Sequence, residues 1–288
     1  MLKRRTTGSV VCPSCGSLVG VRDDKCYTCG RANPGLWGFG PALRQLGTDL
    51  GFVEIVIGAT ATIYVLTLLV SGPGLEVVGR GMSILAPSQS ALLMFGMSGG
   101  VPVFYYGWWW TLLSASWLHG NFLHILFNML WVRDLAPALI DLIGTPRTII
   151  VYVVSGFCGF LLSSAAPFSP VPIPFLGGSA FSMGASASVL GLLGALLHYG
   201  RKSGSSYIHA TALNYALILI LMGFVMPGVD NTAHVGGFAG GYAISAVFNP
   251  LKRERGDYLF IALLLLLATL LAIGFAVVHG LYLMRSPA

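Results

Sequence analysis

The sequence predicts an all-α polytopic membrane protein that is preceded by a small, water-facing module. Of the 288 residues, 55% are hydrophobic and only 9% are charged, against roughly 25% charged residues in an ordinary globular chain. Several uncharged apolar stretches approach the ~20 residues of a membrane-spanning helix, and a cysteine cluster near the N-terminus predicts the separate module. This composition excludes a soluble globular fold, a disordered chain, a coiled coil and a nucleic-acid reader.

The first fifty residues differ in composition from the rest of the chain. They hold seven of the sixteen lysines and arginines and four of the five cysteines. Because polar residues follow the basic start where a signal peptide needs an apolar core, we expect the N-terminus to stay in the cytoplasm. The predicted organisation is a cytoplasmic module at 1–32, a linker at 33–50 that could lie in the membrane interface, and a seven-helix membrane domain at 51–285.

Four cysteines form a predicted metal site in this module. Cys12 and Cys15 belong to one Cys-x-x-Cys-Gly motif and Cys26 and Cys29 belong to a second, with ten residues between Cys15 and Cys26. Two tight turns of this kind present four thiolates tetrahedrally to one metal ion, whose binding would supply the folding free energy of so short a module. We predict a zinc-ribbon-like domain with structural Zn²⁺. A rubredoxin-like iron site and disulfides are the alternatives, and the reducing cytoplasm disfavours disulfides.

Seven apolar segments are predicted to cross the membrane, near 52–71, 117–135, 148–168, 181–200, 208–226, 231–249 and 258–282. Starting from a cytoplasmic N-terminus, fourteen basic residues fall on the cytoplasmic side and two fall outside. Because cytoplasmic loops are enriched in lysine and arginine, this distribution predicts the orientation. The segment 72–116 is then extracytoplasmic, and its apolar and aromatic residues place part of it in the interface. Inside are Lys3, Arg4, Arg5, Arg22, Lys25, Arg31, Arg44, Arg133, Arg147, Arg201, Lys202, Lys252, Arg253 and Arg255; outside are Arg80 and Arg285.

Four polar side chains are predicted to share one depth in the membrane. Spans two, four and six all run inward, and near their outer ends they carry His124 with Asn128, Ser186, and His234. Polar groups in lipid are costly and therefore indicate function. A serine hydroxyl becomes a nucleophile beside a neutral imidazole, and a helix N-terminus favours a developing oxyanion. His124 and Asn128 lie on one helix face, from which their donors could complete the oxyanion hole.

Small residues in spans four and six predict that these helices pack backbone to backbone. Span four has Ala187, Gly191 and Ala195 at every fourth position, and span six has overlapping Gly-x-x-x-Gly motifs at 236–240 and 237–241. Such patterns let membrane helices approach closely. The serine and the imidazole could then meet directly.

Three motifs resemble those of the rhomboid intramembrane serine proteases, in the same order and with matching spacing. The resemblance covers roughly residues 50 to 285 and implies a six-helix rhomboid-like core plus one extra C-terminal transmembrane helix. It also implies that Ser186 is the nucleophile and His234 the general base, without a third carboxylate, and that His124, Asn128 and the Ser186 backbone N–H bind the oxyanion in a water-filled cavity open to the extracytoplasmic side. The motifs are His119-Gly-x-x-x-His124-x-x-x-Asn128, Gly184-Ala-Ser186 followed by Gly191-Leu-Leu-Gly194-Ala, and Ala233-His234-Val-Gly-Gly237-x-x-x-Gly241.

The chain departs from the family pattern at three positions. Ala187 follows the nucleophile where glycine is usual, Thr111 follows a tryptophan where arginine is usual, and Leu190 stands where an aromatic often lies beneath the catalytic histidine. The departures remove no reacting group. They bear on the anchoring of the outer loop, on the orientation of His234 and on the rate of the reaction.

The leading functional prediction is a serine endopeptidase that cleaves transmembrane segments of membrane proteins in or near the bilayer, with no cofactor for catalysis. Its predicted partners are transmembrane-helix substrates and the bilayer of the cell or inner membrane, and a cytoplasmic protein could bind the zinc module. The alternative is a non-hydrolytic relative that binds membrane clients. A transporter has less support, because spans four and six lack paired carboxylates and the two halves of the chain show no internal repeat.

Overall fold

The computed structural model describes residues 4–40, 51–78, 84–170, 176–226, 228–252 and 254–285. Most of the predicted linker (41–50) lies outside these ranges, as do four charged residues used in the orientation argument: Lys3, Arg44, Arg80 and Arg253. Within the ranges, a small two-stranded module precedes a bundle of helices.

The N-terminal module is built on a short hairpin and two matching turns. Strands β1 (Ser9–Val11) and β2 (Leu18–Gly20) pair in antiparallel fashion around the first cysteine motif, and an isolated bridge encloses the second. Gly16 and Gly30, which end the two motifs, have φ angles of 82° and 71°, a left-handed conformation that glycine adopts without steric cost. The apolar core of the module is small and consists of Val10, Cys12, Val19, Val21 and Cys26.

Within the described ranges, seven long helices lie at the positions of the seven predicted spans. Two short helices, α2 and α3, lie between the first and the second long helix. In chain order the helices are α1 (Phe52–Ser71), α2 (Gln89–Met94), α3 (Thr111–Ser114), α4 (Phe122–Ile143), α5 (Thr145–Ala165), α6 (Ser186–Ser203), α7 (Ser206–Val225), α8 (Asn231–Val247) and α9 (Gly256–Arg285). Asn121, Ser205 and Asp230 cap α4, α7 and α8 with side-chain oxygens, which satisfies N–H groups that have no acceptor within the helix.

Among the described residues, α1, α4, α5, α7 and α9 are long and apolar enough to cross a membrane. The other two long helices, α6 and α8, have 18 and 17 residues. They are rich in glycine and small polar residues because they pack against neighbouring helices: α6 contacts α4, α5, α7 and α8. The protein is therefore an integral membrane protein that crosses the bilayer several times.

Two helices begin later than the sequence predicts. The helix predicted to start at 117 begins at Phe122, because Ala115–Trp117 forms a separate 3₁₀ turn. The helix predicted to start at 181 begins at Ser186, because Gly184 has a φ of 124° that is incompatible with a helix. Ser186 is therefore the first residue of α6 and does not lie more than one turn inside it.

The contact between α6 and α8 is made through glycines. A Cβ atom at Gly237 would lie 2.1 Å from the carbonyl oxygen of Ala187, and a Cβ atom at Gly241 would lie 2.1 Å from that of Gly191. Real Cβ atoms do not approach an oxygen this closely, so glycine is required at both positions. The constant offset between the paired residues shows that the two helices run in the same direction, as the sequence predicts.

The other face of α8 packs on α5 by the same means. A Cβ atom at Gly236 would lie 3.0 Å from the Cα of Gly159, and one at Gly240 would lie 2.7 Å from the Cβ of Cys158. The two overlapping Gly-x-x-x-Gly motifs therefore serve two different neighbours. The contact with α6 was predicted from the small residues of the two helices, whereas the contact with α5 was not.

The segment between α1 and α4 folds onto the N-terminal end of α6. It contains strands β3 (Glu76–Val78) and β4 (Ile84–Ala86), the helices α2 and α3, and a π-helical turn. Ser98 and Ser182 exchange backbone hydrogen bonds of 3.0 and 2.7 Å. The described part of this segment is thus tied to the chain that leads into Ser186.

The C-terminal helix α9 packs on α2, α3 and α5. At its C-terminal end the rings of Phe275 and His279 lie 4.6 and 5.4 Å from the ring of Trp110, measured between centroids. The predicted extra helix therefore supports the segment that precedes α4.

The N-terminal end of α9 contacts the cysteine module. Arg31 donates two hydrogen bonds, of 2.5 and 2.9 Å, to the carboxylate of Asp257. Gly256 donates its backbone N–H to the carbonyl of Pro13 at 3.3 Å. The observed contact of the module is therefore with this chain's own membrane domain.

Candidate active site and metal centre

Ser186 stands at the start of α6, where it is half-buried. The turn before it is held by two hydrogen bonds: Gly184 donates to the carbonyl of Ala115 at 2.9 Å, and Ala185 donates to Nε2 of buried His119 at 3.4 Å. The first N–H groups of a helix have no acceptor within the helix. The backbone N–H of Ser186 is thus suited to bind a negatively charged oxygen formed beside the serine.

His124 lies directly against the turn that precedes Ser186. A Cβ atom at Gly184 would lie 2.6 Å from His124 Nε2. Gly120 donates its N–H to His124 Nδ1 at 3.3 Å, so a neutral imidazole carries its proton on Nε2. His124 therefore directs an N–H donor toward the residues next to the serine.

Asn128 follows one helical turn after His124 on the same face of α4. Its side chain is buried, with 6% of its surface exposed, and its Nδ2 donates one hydrogen bond of 2.9 Å to the carbonyl of His124. An amide NH₂ has two hydrogens, so the second can serve a ligand.

His234 is buried in the first turn of α8, and its Nδ1 has no hydrogen-bond partner among the described residues. It precedes Gly237 by three residues and therefore lies on the same side of α8, the side that packs on Ala187. The hydrogen bonds of the described residues include none between Ser186 and His234. The structure thus brings their helix starts together through Gly237 and Ala187, and the Ser186–His234 dyad itself is a proposal taken up below.

Asp230 is not a freely exposed surface carboxylate. It is half-buried and caps α8 by accepting the N–H of Ala233 at 2.9 Å. Its Oδ2 also accepts hydrogen bonds from the hydroxyls of Ser163 and Ser182, the latter at 2.6 Å. Sequence reasoning missed both serines, although an aspartate just before a helix start is a recognisable capping signal.

The three departures from the family pattern have structural counterparts. The methyl group of Ala187 fits because α5 has Gly159 opposite it, where a Cβ atom would lie 2.7 Å from that methyl. Thr111 is fully buried, and its hydroxyl donates a hydrogen bond of 2.7 Å to the carbonyl of Trp108. This bond anchors the tryptophans at 108–110 without an arginine. Leu190 is fully buried in the main core.

The four cysteine sulfurs of the N-terminal module converge on one point, all within 4.8 Å of one another. The Sγ atoms of Cys12 and Cys29 are 3.8 Å apart, and those of Cys15 and Cys26 are 3.6 Å apart. Tetrahedral zinc, with Zn–S bonds of ~2.3 Å, requires sulfurs about 3.8 Å apart. The set therefore fits a tetrahedral metal ion, whereas a disulfide needs an S–S distance of ~2.05 Å.

The chemistry of the cysteines also suits metal binding. Hydrogen bonds from Ser17, first from its hydroxyl and then from its backbone, lower the pKa of the Cys15 thiol to about 6. Metal ions bind thiolates, so Cys15 is already suited to bind one, whereas burial and the neighbouring thiols raise the pKa of Cys29 to about 12, and a bound cation would displace that proton.

A family model for the rhomboid domain matches residues 106–251, just over half of the chain, and this range includes Ser186, His234, His124 and Asn128 but not the cysteine module. Similar proteins include the rhomboid protease GluP of Bacillus subtilis (strain 168), 32% identical over 173 residues, which are 59% of this chain and 31% of that protein.

Two plant proteins of Arabidopsis thaliana are also similar. RHOMBOID-like protein 7 is 34% identical over 166 residues, 56% of this chain and 50% of that protein. RHOMBOID-like protein 4 is 37% identical over 142 residues, 48% of this chain and 34% of that protein. The chain thus spans about a third to a half of the length of these relatives. Because the family model covers the part of the chain that holds all three motifs, this chain belongs to the rhomboid family.

Proposed function

We propose that this protein is an intramembrane serine endopeptidase in which Ser186 and His234 form a catalytic dyad. The observation that supports it best is the seam between α6 and α8: Gly237 touches the backbone of Ala187, so a serine and a histidine at the starts of these helices share one end of the bundle. His124 Nε2, placed against Gly184, adds a donor to the same end.

The proposed reaction has two stages. In the first, Ser186 Oγ attacks the carbonyl carbon of the scissile peptide while His234 takes the hydroxyl proton and then delivers it to the leaving amine. In the second, water attacks the acyl-enzyme, again with His234 as base, and releases Ser186. The backbone N–H of Ser186, with Nε2–H of His124 and Nδ2–H of Asn128, stabilises the oxyanion in both stages.

We propose that the substrates are transmembrane segments of other membrane proteins. The starts of α4, α6 and α8 are set among membrane-spanning helices, so a peptide bond must approach them from the bilayer or its surface. The name of one relative, the rhomboid protease GluP, supports hydrolysis. Lipid-embedded segments that unwind locally are the natural source of such a bond.

The proposed orientation places the N-terminus in the cytoplasm and the active site toward the extracytoplasmic face of the cell or inner membrane. The cysteine module contacts the start of α9, beyond the C-terminal end of α8, whereas His234 is at the N-terminal end of α8. The module and the site are therefore at opposite ends of the bundle, which agrees with the distribution of basic residues.

We propose that the module holds structural Zn²⁺ through Cys12, Cys15, Cys26 and Cys29. Metal analysis of the purified protein tests this proposal: we expect one zinc per chain and a colourless protein. A coloured, redox-active protein that contains iron would contradict it.

Two measurements on purified protein test the catalytic proposal. The first is cleavage of a reporter with a single transmembrane segment, and the second is covalent labelling by a serine-directed fluorophosphonate. Both should be lost in Ser186→Ala and His234→Ala. Ser188→Ala is the matched control, because Ser188 is buried in the same helix and faces Ser116 at 3.5 Å, and it should retain both activities.

The outcomes separate the two functional classes. A native chain that binds the reporter without cleaving it and is not labelled would show the non-hydrolytic client-binding protein. Cleavage that survives in Ser186→Ala would exclude this mechanism.

A further inference from the structure

Asp230 is not among the four residues predicted for catalysis and oxyanion binding. Its carboxylate connects three parts of the end of the helix bundle that holds the proposed active site. Asp230 Oδ2 accepts the hydroxyl of Ser163, near the end of α5, and the hydroxyl of Ser182, in the segment before α6. Its Oδ1 accepts the N–H of Ala233 in α8. Ser163 and Ser182 are buried, with 0% and 4% of their surface exposed.

The position of this link along the chain is informative. Ser182 lies four residues before Ser186, and Asp230 lies four residues before His234. The Ser182–Asp230 hydrogen bond therefore joins the two short segments that deliver the nucleophile and the base. Further along the chain, Gly237 and Ala187 hold α8 and α6 in contact. In each segment, the reacting residue therefore lies between the hydrogen bond and the glycine contact.

The segment that carries Ser182 is braced from its other side as well. Ser182 exchanges two backbone hydrogen bonds with Ser98, and Gly100 donates its N–H to the carbonyl of Ser179 at 2.9 Å. Gly178 donates its N–H to the hydroxyl of Thr232 in α8 at 3.0 Å. The side chain of Ser182 thus connects a segment that is already held by backbone hydrogen bonds to the cap of α8.

We propose that Asp230 is a positioning residue for the dyad, which acts through Ser182 to fix the separation of Ser186 and His234. This inference rests on the proposed function and names a residue that takes no part in bond making. A displacement of reacting atoms by ~1 Å can cost up to about a hundredfold in rate, so a hydrogen bond that sets their separation affects turnover more than substrate binding.

Three serine variants isolate this role from general stability. Ser182→Ala breaks the link to the nucleophile segment and leaves the cap of α8 intact. Ser163→Ala removes the other hydroxyl that binds the same Asp230 oxygen. Ser163 does not lie on the path that connects Ser186 with His234. Ser164→Ala is the matched control, because its buried hydroxyl has no hydrogen-bond partner among the described residues.

The first readout is the rate of fluorophosphonate labelling together with kcat and KM for a transmembrane reporter. We expect Ser182→Ala and Asp230→Asn to lower labelling and kcat about ten- to hundredfold with little change in KM. Ser163→Ala should show a much smaller loss at a similar fall in thermal stability, and Ser164→Ala should match the native chain. If Ser182→Ala lost no more activity than Ser163→Ala at equal stability, the carboxylate would be only structural and the proposal would be overturned.

The second readout is hydrogen exchange of the amides at 182–187, which needs no catalysis. Ser182→Ala should speed exchange of the Gly184 and Ala185 amides, and Ser164→Ala should not. If the native chain is neither labelled nor active, the proposed function is contradicted but the role of Asp230 is not. The exchange data then decide whether Asp230 orders the segment that carries Ser186. Unchanged exchange in Ser182→Ala would overturn the positioning role whatever the activity.

Discussion

Ser186 and His234 are carried by helices whose touching surfaces have almost no side chains. At Gly237 the space that a Cβ atom would take is already occupied by the carbonyl group of Ala187. The backbone of the serine helix is therefore in direct contact with the histidine helix, and the identity of a single glycine determines how closely the two helices can approach.

The first prediction follows from this contact. Gly237→Ala should separate α8 from α6, lower stability by roughly 1–3 kcal/mol, as overpacking does, and abolish fluorophosphonate labelling. Gly58→Ala in α1 is the control, since a Cβ atom there meets nothing within 4 Å, and it should be neutral or slightly stabilising. Thermal unfolding in detergent and the labelling rate measure both effects. Equal behaviour of the two variants would contradict the assigned packing.

At the scale of elements, the turn that joins α8 to α9 is held by a buried arginine. Arg147, at the start of α5, donates its backbone N–H to Glu254 at 3.0 Å and a guanidinium N–H to the carbonyl of Lys252 at 2.9 Å. Its guanidinium also lies 5.0 Å from the ring centroid of Tyr258. One residue of α5 therefore fixes the path between the histidine helix and the C-terminal helix.

Glu254 makes this connection sensitive to pH, which is the second prediction. Burial raises the pKa of its carboxyl to about 7, from 4.5 in an unfolded chain. The folded state therefore binds the proton more tightly, and the stability gained from it is complete below about pH 4.5 and is lost as the pH rises through about 7. Unfolding temperatures of the native chain should fall over this range.

Glu254→Gln, which stays neutral at every pH, should remove that part of the fall. Asp134→Asn, at an exposed ion pair with Arg133, is the control and should leave the fall in place. A native chain whose unfolding temperature does not decrease between about pH 5 and pH 8 would contradict the assignment.

At the scale of the whole molecule, the described residues of the cysteine module contact the membrane domain at the start of α9. Arg31 follows the second cysteine motif, and Pro13 lies inside the first; both contact residues 256 and 257 at the start of α9. In the proposed zinc complex the ion would hold the two motifs together, so this composite surface would depend on the four thiolates being gathered.

The third prediction is that chelation of the metal releases the module without unfolding the bundle, which has its own core. Trypsin should then cleave at Arg22 and Arg31 in the chelated protein and not in the zinc-loaded protein, while far-UV circular dichroism changes little. Asp257→Asn should retain zinc but loosen the docking, which faster hydrogen exchange around residue 257 would report. Resistance to trypsin after chelation would contradict metal-dependent folding.

Much of the fold is written in local patterns. The apolar segments of the sequence locate all seven long helices, although among the described residues only α1, α4, α5, α7 and α9 are long and apolar enough to cross a membrane. Small residues at every fourth position predict the contact of α6 with α8, and the spacing of Cys12, Cys15, Cys26 and Cys29 predicts their convergence. The starts of α4 and α6 were less predictable, because hydropathy does not register a capping side chain or the positive φ of Gly184.

By itself, the sequence determined the membrane class, the order of the helices, the cysteine cluster and the motifs that define the family, because each depends on composition or on spacing within one segment. The tertiary structure decided that Asp230 joins Ser163 and Ser182, 67 and 48 residues away, that α8 has a second glycine seam against α5, and that Arg31 binds Asp257 from 226 residues away. Such contacts depend on which surfaces meet after the helices have packed, and no periodicity along the chain records that choice.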